Sequence, residues 1–252
     1  MIRTVFITLF IITTASAQYV PVVEDSLYRA DASSHQFSYR QLIIPGALVG
    51  FGVLGIKSDQ LIDYNLGIRE EVQEHIDDRF TIDDFSQYTP MLSVYALNAA
   101  GIRGKHNLGD RTIIMATSYI FVASTVTGLK HIIHEERPDG SSFNSFPSGH
   151  TATAFSGAEF LFQEYKDKNI WYGISGFVVA TGTGMFRMYN NRHWLTDVVA
   201  GAGIGILSTK AAYWLFPYEK KYIFGGSEKK TSGLVLPYYN GNQVGISASF
   251  IF

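Results

Sequence analysis

Residues 112–150 read TIIMATSYIFVASTVTGLKHIIHEERPDGSSFNSFPSGH. The 18 positions Thr112–Leu129 carry no charge, as expected of a helix that is buried or crosses a membrane. Thr, Ser, Gly and Ala are plentiful there, which suits close approach by a neighbouring helix. The run ends in Lys130, and Arg137 follows about two helical turns later. The two cations can therefore share a face if the helix continues to Pro138, which stops it. Pro147-Ser148-Gly149 then breaks the chain before His150 and another apolar helix. Free N–H groups at such a helix start cradle an anion, helped by the helix dipole.

Similar texture extends on both sides. Gln41–Ile56 has 16 residues without charge, and Phe85–Ile102 and Asn169–Phe186 have 18 each. A further helical run begins near Trp194 and reaches about Phe216. Residues 57–84 are charged, with Ile62, Leu66, Ile68, Val72 and Ile76 spaced as one face of an amphipathic helix. Near the end, Leu234–Tyr239 precedes Asn240-Gly241, a hairpin-turn dipeptide, and Val244, Ile246, Ala248, Phe250 and Phe252 then alternate with Gly245, Ser247, Ser249 and Ile251. The expected fold is all-α: a bundle of five to six apolar helices embedded in a membrane, with a short C-terminal β-hairpin packed on it. The predicted divisions are a signal peptide (1–17), a lead-in with an apolar helix and an amphipathic segment (18–84), a helical catalytic domain (85–218) and a β-like tail (219–252).

Composition narrows the chemistry. The chain has 252 residues, 46% hydrophobic and 17% charged, with mean hydropathy +0.08, high for a soluble enzyme and low for a chain made mostly of spans. An aromatic share of 14% excludes a disordered chain. A net charge of −2 gives no basis for nucleic-acid binding. Cysteine is absent, which excludes disulfides, thiol nucleophiles, zinc–thiolate sites and iron–sulfur clusters. Met1-Ile2-Arg3, the apolar run Val5–Ile12 and Ala15-Ser16-Ala17 form a secretory signal pattern, with cleavage predicted after Ala17.

Three clusters carry chemistry: Lys130 with Arg137-Pro138; Pro147-Ser148-Gly149-His150; and Arg187, His193 and Asp197. On a helix starting near Trp194, the Asp197 carboxylate can reach the His193 imidazole. Singly, each has a bland reading: a solvated face, a helix cap, an ordinary ion pair. Together they bring three cations, two histidines, an orienting acid and a helix N-terminus to an oxyanion of high charge. His131 and His134 read as rim or packing groups, and His35, His75 and His106 as isolated surface groups.

In these residues the sequence resembles the phosphatidic acid phosphatase type 2 (PAP2) superfamily, which includes lipid phosphatases, bacterial class A acid phosphatases and vanadium haloperoxidases. Its pattern is Lys-x6-Arg-Pro, Pro-Ser-Gly-His and Ser-Arg-x5-His-x3-Asp. All spacings fit, and the one departure is Phe186 in place of the Ser before Arg187. The resemblance implies that His193 is the nucleophile and forms a phosphohistidine, with Asp197 orienting it. His150 protonates the leaving alcohol and then activates water. Lys130, Arg137, Arg187, Ser148 and the Gly149 N–H hold the phosphoryl oxygens. No metal and no cofactor is implied.

Charge asymmetry between turns predicts the orientation. Arg103, Lys105 and Arg111, then Lys166 and Lys168, then Lys220 and Lys221 fall on one side, and all three clusters on the other. That places the site at the outer face of an inner membrane, provided that only one of the signal segment and Gln41–Ile56 counts as a crossing. The partners expected are the membrane and a phospholipid or lipid A substrate, with the lipid A 4′-phosphate as first expectation. Undecaprenyl diphosphate and phosphatidylglycerol phosphate stay open, as does a soluble periplasmic acid phosphatase of broad specificity. A vanadate-dependent haloperoxidase and a non-catalytic outer-membrane assembly or lipid-binding protein are the rivals from other classes.

Overall fold

The computed structural model describes residues 38–74 and 81–222, together with the backbone of 232–239 and 244–251. The signal segment, most of the polar lead-in, His35, His75 and Ile76 lie outside the described residues. Among the described residues eight helices follow in order: α1 (Arg40–Gly55), α2 (Asp59–Gln73), α3 (Ile82–Ser86), α4 (Thr89–Ala99), α5 (Leu108–Ile133), α6 (Gly149–Tyr165), α7 (Ile170–Tyr189) and α8 (Leu195–Tyr222).

Helix α6 is the axis, in contact with α4, α5, α7 and α8, while α8 also packs on α1 and α5. Glycines on α8 set that spacing. A Cβ at Gly205 would run into the backbone of Ala152, and one at Gly201 would lie 2.5 Å from the Ser148 carbonyl oxygen. Gly203, on another face, sits equally tight against α1, 2.6 Å from the Pro45 carbonyl oxygen by the same measure. The α5–α6–α8 seam is partly polar: Ser118, Ser156 and Thr209 are fully buried and exchange hydroxyl hydrogen bonds of 2.7–3.0 Å. Around the far half of α6, Val94, Ile114, Phe160, Tyr165, Tyr213 and Phe216 form the main apolar core.

By length and composition, α5 and α8 can each cross a membrane, and α1 with α2, bent 92° apart, makes a third candidate. These spans mark a membrane protein.

Several expectations are corrected. The charge-free run 85–102 is not one helix. A new helix starts at Thr89 with Pro90 in its first turn, where the missing N–H costs no intrahelical bond, and α4 has just 11 residues, about 17 Å. The amphipathic segment does form a helix over α2: Asn65 is buried, Ile68 and Val72 are half-buried, Arg69 and Gln73 donate to Asn191 and to the end of α7, and Ile62 and Leu66 are exposed. At the C-terminus, β1 (Ser232–Tyr239) and β2 (Val244–Ile251) trace an antiparallel ladder. Among the described elements no helix contacts either strand, so a hairpin packed on the bundle is not supported and the body of the fold is all-α.

Candidate active site

The site lies where the N-terminus of α6, the C-terminus of α7, the N-terminus of α8 and the loop after α5 meet. Ser148 caps α6, its Oγ accepting from the Thr151 N–H, and its own N–H donates to the Asp197 carbonyl 3.1 Å away. This backbone bond ties the α6 start to the α8 start. Asp197 performs a similar service for α8: its Oδ2 accepts from the Trp194 N–H at 2.9 Å.

That same Oδ2 lies 3.5 Å from His193 Nδ1. Both side chains are almost fully buried, at 2% and 1% exposure. Burial holds the His193 pKa down to about 4, although the Asp197 carboxylate works against it. The ring is therefore neutral at ordinary pH. With Nδ1 turned to the carboxylate, Nε2 is left as the outward nitrogen. Ser145, fully buried, completes this arrangement: its Oγ donates to Asp197 Oδ2 at 2.5 Å and lies 3.4 Å from His193 Nδ1. Sequence reading missed Ser145. Its only signal was a hydroxyl three residues before Ser148 in the same motif loop.

The cations converge, though not by the expected route. Helix α5 ends at Ile133, because His134 takes the left-handed conformation (φ 53°) and closes it. Arg137 therefore sits in the following loop, not on a helical face shared with Lys130, and its N–H donates to the Ser142 carbonyl. Lys130 and Arg137 are nevertheless electrostatic neighbours of each other, of Arg187 and of Asp197. The Lys130 ammonium donates to the carbonyls of Asn144 and Ser145. Burial, reinforced by the charges of Arg187 and Arg192, lowers the proton affinity of Arg137. The Nε–H groups of Arg137 and Arg187 are both buried with no hydrogen-bond partner. Unpaired donors on neighbouring guanidinium groups suit an oxyanion. Phe186 does not displace Arg187; its ring lies edge-on to Tyr189 at 6.0 Å.

Two carboxylates from α3 enter the site, and sequence reading did not anticipate them. Asp83, 1% exposed, pairs with Arg187 and accepts from Asn190 Nδ2 at 2.9 Å. Asp84 Oδ1 lies 2.8 Å from His150 Nε2. Among the described residues, Asp83, Asp84 and His150 are the one set of carboxylate and imidazole donors close enough to share a metal ion. Their atoms are already taken up in the pairings just described. Burial, with the charges of Asp197 and Glu136, raises the Glu135 carboxyl above its usual range. His131 and His134 are exposed, as a rim reading requires. His106 is not an isolated surface group: its Nδ1 lies 2.6 Å from the buried Glu164 at the opposite end of α6.

The helical bundle thus holds a buried His–Asp pair beside three clustered cations, an arrangement whose chemistry suits a phosphoryl group. The pattern of the PAP2 superfamily matches residues 111–221, the part of the chain that holds all three motif clusters. Over 135 residues it is 37% identical to the lipid A 1-phosphatase of Porphyromonas gingivalis, covering 53% of this chain and 30% of that protein. Over 74 residues it is 38% identical to the bacitracin transport permease protein BcrC of Bacillus licheniformis, covering 29% of this chain and 34% of that one. The matches thus span about a third of the length of these curated relatives. Two solved structures are similar. The crystal structure of Aquifex aeolicus LpxE is 21% identical with TM-score 0.45, covering 59% of this chain and 94% of that one. The transmembrane PAP2-type phosphatidylglycerolphosphate phosphatase from Bacillus subtilis is 20% identical with TM-score 0.45, covering 71% and 98%.

Proposed function

We propose that the protein is a membrane-embedded phosphatase that removes a phosphate monoester from a lipid headgroup through a phosphohistidine. The observation that carries this reading is the buried, neutral His193, braced by Asp197 and Ser145 beside the unpaired Nε–H groups of Arg137 and Arg187. His193 Nε2 attacks phosphorus, and the guanidinium groups, Lys130, Ser148 and the N-terminus of α6 receive the charge that develops on the phosphoryl oxygens. His150 donates a proton to the departing alkoxide and later takes one from the attacking water. Residues 85–218 form the catalytic body in this reading, and His193 and His150 are its essential groups.

Lipid A phosphate is the first substrate to test. The P. gingivalis relative is named for the 1-phosphate, which favours that position over the 4′-phosphate expected from sequence. An exported chain with its site at the outer face of an inner membrane remains part of the proposal. The test is mass spectrometry of lipid A from cells with and without the gene. Loss of one phosphate that returns with His150→Ala or His193→Ala supports the reading, and the fragment ions identify the position. Unchanged lipid A, with release of phosphate from undecaprenyl diphosphate or phosphatidylglycerol phosphate, keeps the class and moves the substrate. Alkaline phosphatase fused after Gly140 but not after Gly104 should be active; activity at both points refutes the orientation.

A further inference from the structure

The reaction needs two histidines, and the three motif clusters supply a carboxylate partner for only one of them. We propose that Asp84, from α3, is the positioning residue of His150, so that the site contains two His–Asp dyads with opposite ring orientations. The proposal rests on the phosphatase reading and adds a residue to it.

The geometry is specific. Asp84 Oδ1 lies 2.8 Å from His150 Nε2. A carboxylate there keeps the proton on Nε2 and leaves Nδ1 as the nitrogen that exchanges a proton with the reacting oxygen. In His193 the carboxylate faces Nδ1 and leaves Nε2 to attack. α3 is too short to hold itself in place, and its position comes from its neighbours. Asp83 is buried against Arg187 and Asn190, Ser86 exchanges a 2.8 Å hydrogen bond with Thr183 of α7, and Gln87 Nε2 donates to the Asp84 carbonyl at 2.9 Å. Asp83 thus docks the segment, and the next residue is delivered to His150. The charged groups around His150 are Arg187 from α7 and Asp83 and Asp84 from α3. Asp84 is the one in direct contact.

The steps balance. His193 Nε2 forms the N–P bond while the ester P–O bond breaks, and the leaving oxygen takes that electron pair and the proton from His150 Nδ1. In the second half, His150 Nδ1 accepts a proton from water as its oxygen bonds to phosphorus and the P–N bond breaks. The Nε2–H to Asp84 is kept throughout.

Leaving-group chemistry supplies the test. The purified protein in detergent micelles is assayed on p-nitrophenyl phosphate, whose phenolate leaves without a proton, and on whichever lipid phosphate the preceding assay shows is turned over. Asp84→Ala should lower kcat on the lipid by about 100-fold with little change in KM. With p-nitrophenyl phosphate, the first turnover should stay within about 10-fold of wild type and appear as a burst, because phosphoenzyme breakdown still needs His150. Asp84→Asn still accepts from Nε2–H and should recover most of the lipid activity. The basic limb of its pH profile should fall about one pH unit lower, because an uncharged partner no longer favours the protonated ring. Equal losses on both esters with an unmoved limb would show that α3 is only a structural prop, and would overturn the proposal. A wild type no more active than His193→Ala on either ester overturns the phosphatase reading and this proposal with it.

Discussion

Lowering the pH tests the state of His193 directly, because stability and activity should respond in the same window for one reason. The ring is buried and its pKa lies at about 4, against an ordinary value of 6.5. In the unfolded chain it takes up a proton near 6.5, while in the folded protein it does so only near 4. Between these limits the unfolded state binds more protons, so acidification favours unfolding. At pH 4.5 this single group should cost about 2.5 kcal/mol of stability, taking about 1.4 kcal/mol per pH unit. The loss is absent above about pH 7 and complete below about pH 4. Other carboxylates titrate nearby, so the measurement is a difference. Thermal unfolding in detergent is followed at pH 4.5 and pH 7 for wild type and His193→Gln, and the variant should lose less on acidification by about that amount. Activity adds a second reading, since the nucleophile must be unprotonated: the acid limb of kcat/KM should fall near pH 4, not near 6.5. Equal acid sensitivity in the two proteins, together with a limb near 6.5, would refute the buried neutral imidazole.

Three further predictions follow from individual contacts. Ser145→Ala removes a 2.5 Å hydrogen bond to a buried carboxylate. A loss of 1.5–3 kcal/mol, expected for hydrogen bonds to charged groups, should lower kcat by about 10- to 100-fold, and an unchanged kcat would sink the role given to Ser145. Gly205→Val drives a side chain into the Ala152 carbonyl and to within 2.8 Å of the Ser156 nitrogen, so stability should fall by about 3 kcal/mol and the melting temperature by about 8 °C. Arg137→Met removes a half-buried cation whose Nε–H is buried and unpaired, so the melting temperature should hold or rise while inhibition by inorganic phosphate weakens by about 100-fold; a lower melting temperature with unchanged inhibition contradicts the assignment.

What the sequence disclosed is tied to spacing along one chain segment. His193 and Asp197 are four residues apart at a helix start, so their meeting could be read directly. Ser148 is a favoured N-cap residue directly before an apolar run, so the start of α6 at Gly149 could be read too. The all-α body was legible for the same reason, since long charge-free runs have few alternatives. What stayed hidden depends on distance or on one backbone angle. Asp83 reaches Arg187 across 104 positions and Asp84 reaches His150 across 66, from a five-residue helix without periodicity of its own. The left-handed turn at His134 removed Arg137 from the helix on which Lys130 sits, although histidine is an ordinary helical residue. His106 gave no hint of Glu164, 58 residues away.

The pairing of charges explains why the site can be built yet remain receptive. Arg192 is matched by Asp139 at 3.1 Å, and Arg187 meets Asp83 through one terminal nitrogen. Lys130 rests on backbone carbonyls, and the Nε–H groups of Arg137 and Arg187 meet nothing among the described residues. Complete neutralisation by protein carboxylates would stabilise the fold and leave no field for a phosphoryl group. Without such pairing, mutually repelling cations would be buried at a cost of several kcal/mol each. The arrangement lies between these limits: Arg187 and Arg192 each have one acid, and the Nε–H groups of Arg137 and Arg187 have none. An incoming phosphate dianion supplies the missing acceptors, and it does so beside a histidine whose burial keeps it neutral and nucleophilic. The strain left in the cation cluster and the readiness of His193 thus have one origin, the exclusion of water where α6, α7 and α8 meet.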